Sequence, residues 1–341
     1  MRSTSALFVV LLSLSASTAR AGDAVALKLV RTGQVDTSPP ALVLTPAVAA
    51  TELDVRLDCG GQKFTRAGPA RGGEEIRVDV GLGVGSARCS GSLVVALIDG
   101  TEGEMPLDFE VEVLPTLELA VDRGSVDLVQ GSLKVHASRA LGSVSVEVFG
   151  LGNSLLSAAA LNPVPTPGQE QMIEWVVSDA EVIRLEVKAT DTFGFWAGVE
   201  LSPWFYEVPH EDVVFESGKH EVRPGEAPKL VAAQKEIAGV LEKYGADVKM
   251  QLFVGGYTDT VGDKGSNAGL SERRARAIAQ WFRASGFERP IYYQGFGERG
   301  LAVTTADEVD EPRNRRAVYI AAAEPPPRTE ALPATDWRLL P

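Results

Sequence analysis

Between Gly255 and Ala275 the chain reads GGYTDTVGDKGSNAGLSERRA, and here polar side chains that could hold charge are concentrated at fixed spacing. Asp259 is an acceptor only, whereas Arg274 carries a planar fork of donors. Arg274 could grip a carboxylate through two parallel hydrogen bonds while Asp259 takes an ammonium a few ångströms away, which makes the implied ligand a zwitterion. Thr258 and Asn267 lie in the same stretch. The competing arrangement is a plain Asp259–Arg274 ion pair that ties the loop down, since exposed pairs of that kind contribute little beyond local order.

The flanking sequence says what positions these groups. An apolar, β-prone run (Val248, Met250, Leu252, Phe253, Val254) predicts a strand entering the stretch. A Gly/Asn/Ser loop follows, and then a helix opening at Leu270-Ser271, with Ser271 as its N-cap. On this reading Arg274 falls in the first helical turn and leans back toward the N-terminus. Asp259 and Arg274 then converge at a solvent-open helix mouth, where unpaired N–H groups and the helix dipole favour an anion. Further elements are predicted around this unit: a strand at 213–215, a helix at 226–244, the helix at 270–285 ended by Gly286, and strands at 291–294 and 317–320. Leu230, Ala233, Ile237, Val240, Leu241 and Tyr244 form one apolar face of the first helix, and Ala275, Ile278 and Phe282 are buried on the second.

The motifs GYTDTVG, Asn267, LSERRA and Asn314-Arg315-Arg316 fall in the order and spacing of the OmpA-like C-terminal domain family, which residues 212–322 resemble. The resemblance implies an α+β domain with a β-α-β-α-β-β mixed sheet. It also implies non-covalent binding of the diaminopimelate of a peptidoglycan stem peptide. The residues carried over by motif position are Asp259 and Arg274 as the principal contacts, with Asn267 and Thr258 as accessory ones. Arg315 and Arg316 either support the site by packing near Asp259 or are ordinary strand-edge charges. The sequence departs from the family at two places: Tyr257 stands where a His is usual, and no Pro follows Gly297-Glu298. Gly295, Gly297 and Gly300 match GxGxxG, but the third Gly leads into Leu301-Ala-Val-Thr-Thr and an acidic loop instead of a helix, which argues against dinucleotide binding.

The chain opens with Arg2, an apolar run from Ala6 to Ala16 and the small-residue site Ala19-Arg20-Ala21, which reads as a signal peptide over residues 1–21 with the mature chain beginning at Gly22. The apolar run is shorter than the roughly 20 residues a bilayer span needs. Losing Arg2 and Arg20 takes the formal charge from −13 to −15, which argues against nucleic acid as a partner. Cys59 and Cys89 are the only cysteines, and in an exported chain they are expected to form one disulfide. His136, His210 and His220 make no zinc pattern, so no metal or cofactor is expected.

From 24 to 208 short β-prone runs alternate with turns. Matching runs recur at Ala41/Ser132, Val55/Val146 and Asp99/Asp191, offset by 91, 91 and 92 positions. This pattern predicts two tandem all-β sandwich modules, 22–115 and 116–208, with one larger sheet domain as the alternative. Trp204-Phe205-Tyr206 is read as core of a final module strand. Few aromatics and charges such as Asp54, Arg56, Glu110 and Glu112 argue against an outer-membrane barrel. Residues 209–322 form the OmpA-like domain on this reading, and Pro-rich 323–341 a disordered tail. The expected protein is a periplasmic, cell-wall-associated binder and not an enzyme, for no free Cys, His cluster or nucleophile elbow appears. Its β modules are either spacers or binding surfaces for envelope proteins, the second option making the chain an adhesin or an assembly scaffold.

Overall fold

Period-two alternation of apolar and polar residues builds most of the chain. In a computed structural model, which describes residues 25–164, 166, 168–216, 218–333 and 336–341, two compact units are distinguished: residues 25–118 with 193–195, and residues 119–192 with 196–341. The expected signal peptide, 1–21, and the expected mature start at Gly22 lie outside the described residues.

The first unit contains β1 (Val25–Val30), β2 (Thr32–Gln34), β3 (Ala41–Pro46), β4 (Ala50–Cys59), β5 (Gln62–Arg66), β6 (Ile76–Asp79), β7 (Gly85–Leu97) and β8 (Glu102–Leu114). They form a three-stranded sheet, β1-β3-β6, and a five-stranded one, β2-β8-β7-β4-β5. Along β4, Leu53, Val55, Leu57 and Cys59 are buried while Glu52, Arg56 and Asp58 face water, the two-residue repeat of a strand covered on one side. These residues join Leu42, Leu44, Ile76, Val78, Leu93 and Val111 from both sheets in one core. Cys59 and Cys89 lie opposite each other on β4 and β7, both fully buried, and are joined as a disulfide.

The second unit begins with β9 (Leu119–Asp127), β10 (Ser132–Ala137), β11 (Leu141–Phe149), β12 (Leu155–Leu161), β13 (Gln171–Glu174), β14 (Arg184–Asp191) and β15 (Trp196–Leu201). Their sheets run β13-β10-β9 and β12-β11-β14-β15. Apart from β2, which has no counterpart, this order matches that of the first set, with β9-β10-β13 answering β1-β3-β6 and β15-β14-β11-β12 answering β8-β7-β4-β5. Ala41 and Ser132, which open β3 and β10, are 91 positions apart, as are Ala50 and Leu141, which open β4 and β11.

The same unit continues with β16 (Phe205–Glu207), α1 (Ala227–Tyr244), β17 (Gln251–Tyr257), α2 (Lys264–Ala284), β18 (Ile291–Gly297), β19 (Ala317–Ala322) and β20 (Arg338–Leu339). The sheet order is β16-β19-β17-β18-β20. It is mixed, since β17 and β18 run parallel, joined through α2, while the other pairs are antiparallel. Leu230, Ala233 and Ile237 of α1 and Ala275, Ile278, Ala279 and Phe282 of α2 pack on one sheet face against Leu252, Val254, Ile291, Tyr293 and Tyr319.

Two expectations are corrected. The first strand of this sheet is not 213–215, which is irregular, but Phe205–Glu207, which pairs with β19. Trp204 is buried, not as the end of a module strand but against α1: its ring lies 4.7 Å from that of Tyr244, and Trp204 Nε1 and Tyr244 Oη both donate to the Glu181 carboxylate. Nor are residues 329–333 and 336–340, within the tail expected to be disordered over 323–341, without structure. Leu332 and Trp337 pack on the face turned away from the helices, which is apolar and needs a cover, while 338–339 add a strand to β18 and Leu340 joins the helix-side core. Among the described residues no helix is long and apolar enough to cross a membrane.

The disulfide closes a loop spanning 30 positions, worth about 3.5 kcal/mol in the chain-entropy model. Mass spectrometry of the unreduced protein should find two hydrogens fewer than the sequence mass and no reactive thiol. The Cys59→Ser/Cys89→Ser variant should lose protection of the β4 and β7 amides at lower urea, and two free thiols in the native protein would remove the argument.

Candidate functional site

The loaded stretch sits at the carboxyl ends of the parallel strands β17 and β18, where the chain leaves the sheet and backbone groups lose their ladder partners. Gly255-Gly256 end the apolar run of β17, and Thr258, Asp259 and Thr260 follow as buried polar residues. Thr258 N–H donates to Gly297 C=O at 2.8 Å, which ties the exits of the two strands together. The Thr260 hydroxyl donates to Ala306 C=O and accepts from Val309 N–H, so the loop is fixed from below as well.

Helix α2 begins six residues earlier than the spacing predicts. Its N-cap is Asp263, whose carboxylate accepts from Ser266 N–H, and Ser271 lies well inside the helix. Two glycines in the first turns, Gly265 and Gly269, conceal this start, because glycine disfavours helix unless packing compensates. The Ser271 hydroxyl donates to Ala268 C=O and accepts from Gly297 N–H at 2.9 Å, a tie between helix and strand. The helix-mouth arrangement is therefore corrected. Arg274 stands in the third turn, and Asn267 and Arg274, seven residues apart, share the face turned inward. Both charged residues are also buried where a solvent-open position was expected, Asp259 being 7% and Arg274 5% exposed.

The plain Asp259–Arg274 pair is absent among the described residues. Asp259 Oδ2 instead accepts from Arg315 at 2.5 Å, and Arg315 also reaches Asp310. Arg315 thus contacts Asp259. Arg274 donates Nε to Lys219 C=O at 3.1 Å and Nη2 to Glu216 C=O at 3.3 Å, and its guanidinium lies 5.0 Å from the centre of the Phe215 ring. Among the described residues no carboxylate pairs with it. Burial, then the neighbouring Arg315, lower the Arg274 pKa, and nearby Asp259 opposes them only in part. Asn267 Nδ2 donates to Val261 C=O at 3.1 Å, with longer contacts to Asp259 C=O and Glu298 Oε2, and so holds the loop against the helix. Thr258 Oγ1 is buried with no hydrogen-bond partner among the described residues, a polar atom normally satisfied in a folded protein.

Several contributors were not singled out from the sequence. Phe215 and the carbonyls of Glu216 and Lys219 cover Arg274, and a backbone carbonyl leaves no mark in the residue types. Asn314, named from the sequence only as part of the Asn314-Arg315-Arg316 motif, is fully buried, its side chain bonding both N–H and C=O of Val303, which pins the loop ahead of Arg315. The GxGxxG glycines prove to be packing and turn residues: a Cβ at Gly295 would stand 2.3 Å from Glu272 N, while Gly297 and Gly300 have φ of 60° and 72°.

A family model described as the OmpA family matches residues 214–315. Residues 214–315 are thus an OmpA-family domain. The sodium-type flagellar protein MotY of Vibrio parahaemolyticus is 30% identical to the chain over 111 residues, which is 32% of this chain and 37% of MotY. The chain therefore spans little more than a third of that relative's length. The solved OmpA-like domain of FopA1 from Francisella tularensis is 18% identical with a TM-score of 0.26, over 41% of this chain and 75% of that one. A putative MotB-like protein from Desulfovibrio vulgaris is 18% identical with a TM-score of 0.25, over 42% and 77%. Asp259, Thr258, Asn267, Arg274 and Arg315 all lie within the OmpA-family domain.

The seating of α2 can be tested directly. A Cβ at Gly256 would stand 2.4 Å from Ser271 C=O, so Gly256→Ala should cost roughly 1–3 kcal/mol through overpacking. Gly239→Ala, in a helical position with nothing within 4 Å of the added carbon, should instead stabilise by about 0.4–1 kcal/mol. Thermal unfolding followed by tryptophan fluorescence distinguishes the two; equal melting temperatures would refute the close approach.

Proposed function

We propose that the OmpA-family domain binds peptidoglycan non-covalently, taking the zwitterionic end of a diaminopimelate-type stem peptide, and so holds the β modules in the cell envelope. The observation that carries this reading is Arg274, a buried guanidinium with no carboxylate partner among the described residues. An uncompensated buried charge is expensive, and a ligand carboxylate is the natural counter-ion. Asp259, held in place by Arg315, supplies the opposite charge for the ligand ammonium through Oδ1, and the unpartnered Thr258 hydroxyl gives a further polar contact. Asn267 keeps the loop that carries them in register with α2. On this reading the protein acts in the periplasm as a wall-associated binder and performs no catalysis, the β modules serving as spacers or as surfaces for other envelope proteins.

The test is co-sedimentation with purified sacculi. Asp259→Asn and Arg274→Gln should each weaken binding about 30-fold to several-thousand-fold, the usual effect of removing one partner from a desolvated charge pair. Glu236→Gln and Glu242→Gln, on the exposed side of α1, should sediment like the parent, and no variant should release muropeptides. Folding is checked by circular dichroism. A folded Arg274→Gln that sediments as well as the parent would show that the buried charge has a purely structural role.

A further inference from the structure

The sheet that presents the site has two apolar faces, and the helices cover only one. On the other, Phe253, Tyr257, Phe296, Ile320 and Ala322 form a cluster that is completed by Leu332 and by the partly buried Trp337. Two stretches of the C-terminal segment supply this cover. In the first, residues 329–333, a tight turn is closed by Thr329 N–H to Leu332 C=O and by Leu332 N–H to the Thr329 hydroxyl, and it presents the Ala331 carbonyl inward. In the second, residues 336–340, Trp337 stands edge-on to Phe253 and Phe296 at ring distances of 5.2 and 5.7 Å, Arg338 and Leu339 pair with β18, and Leu340 N–H donates to Ile291 C=O at 2.8 Å.

The cover reaches three elements that frame the site. At the exit of β17, the Tyr257 hydroxyl donates to Ala331 C=O at 2.5 Å. Tyr257 is the residue before Thr258-Asp259, and the Arg316 guanidinium lies 3.9 Å over its ring, next in sequence to the Arg315 that holds Asp259. In the loop after β18, Gly300 approaches the carbonyls of Glu330 and Ala331 so closely that an added Cβ would be 3.0 Å from each. On α2, Glu272 pairs with Arg338, two residues before Arg274. The phenol of Tyr257 is held neutral by burial, so this clamp keeps its proton throughout the physiological range.

We propose that the C-terminal segment is a brace for the binding site, with Tyr257 as the positioning residue through which it sets the place of Thr258 and Asp259. The effect on affinity rests on the function proposed above; the effect on local order does not. Two readouts separate them. In the ligand-free full chain, Tyr257→Phe and Trp337→Ala should speed hydrogen exchange at the Thr258 amide at least tenfold while the Ile237 amide in α1 exchanges as in the parent, a difference that global destabilisation would not produce. In titrations with a diaminopimelate-containing muropeptide, the same variants should bind several-fold more weakly, and a chain ending at Glu324 at least tenfold more weakly, with affinity recovered when a synthetic 325–341 peptide is added. Should the shortened chain fail to fold, Tyr257→Phe decides alone, since it removes one hydroxyl. Parent-like exchange at Thr258 together with parent-like affinity in folded Tyr257→Phe overturns the brace. A parent that does not bind the muropeptide overturns the proposed function, and the exchange measurement still judges the brace.

Discussion

The geometry of the site depends on how closely α2 can approach the parallel strands β17 and β18. At Gly256 and Gly295 any side chain would run into the helix backbone, at 2.4 Å from Ser271 and 2.3 Å from Glu272. The absence of two Cβ atoms lets the helix sit on the sheet, and the Ser271 hydroxyl then bonds the backbone of β18 directly. From that seat the inward face of α2 carries Asn267 and Arg274 to the strand ends, where Thr258 and Asp259 emerge. Small residues here stabilise a particular distance more than a conformation, which is why Gly256 in β17 and Gly295 in β18 are tolerated despite their weak strand propensity.

The charges divide unequally within that frame. Two guanidiniums meet at the site, and the carboxylates of Asp259 and Asp310 are both matched to one of them, Arg315. Arg274 is left with backbone carbonyls and an aromatic ring, partners that satisfy hydrogen bonds but do not neutralise charge. The acidic character of the whole chain does not compensate at this point, because the described ion pairs leave Arg274 without a carboxylate. On the function proposed above, an anionic group would enter a place already buried and already hydrogen-bonded, so that little reorganisation would accompany binding.

The remainder of the second unit supports the same sheet. Glu181, between the β13 and β14 strands, accepts from both Trp204 and Tyr244, and Ile183 shares a cluster with Val240, Val248 and Met250. The strand set beginning at β9 is therefore packed on the OmpA-family domain by part-buried hydrogen bonds and by buried apolar contacts. On the opposite face the C-terminal residues act as a third layer made of irregular chain, with Trp337 supplying most of the ring contacts.

The sequence by itself determined the classes of element and the identity of the polar residues. Alternation in 24–208 marks strands because a sheet covered on one side must alternate, and the spacing of 91 recurs between the starts of β3 and β10 and of β4 and β11. The apolar faces of α1 and α2 were legible for the same reason, and the motif residues Asp259, Asn267 and Arg274 stand out because polar chemistry is dense there. Tertiary structure alone decided which of those residues meet. Asp259 pairs with Arg315, 56 positions away, and Arg274 with carbonyls of 216 and 219, groups that carry no side-chain signature. The start of α2 was hidden because glycine lowers local helix propensity while packing restores it. The order of 329–333 and 336–340 was hidden because a Pro-rich composition describes what a segment does alone, whereas its place here comes from an apolar face elsewhere in the chain that needs burial.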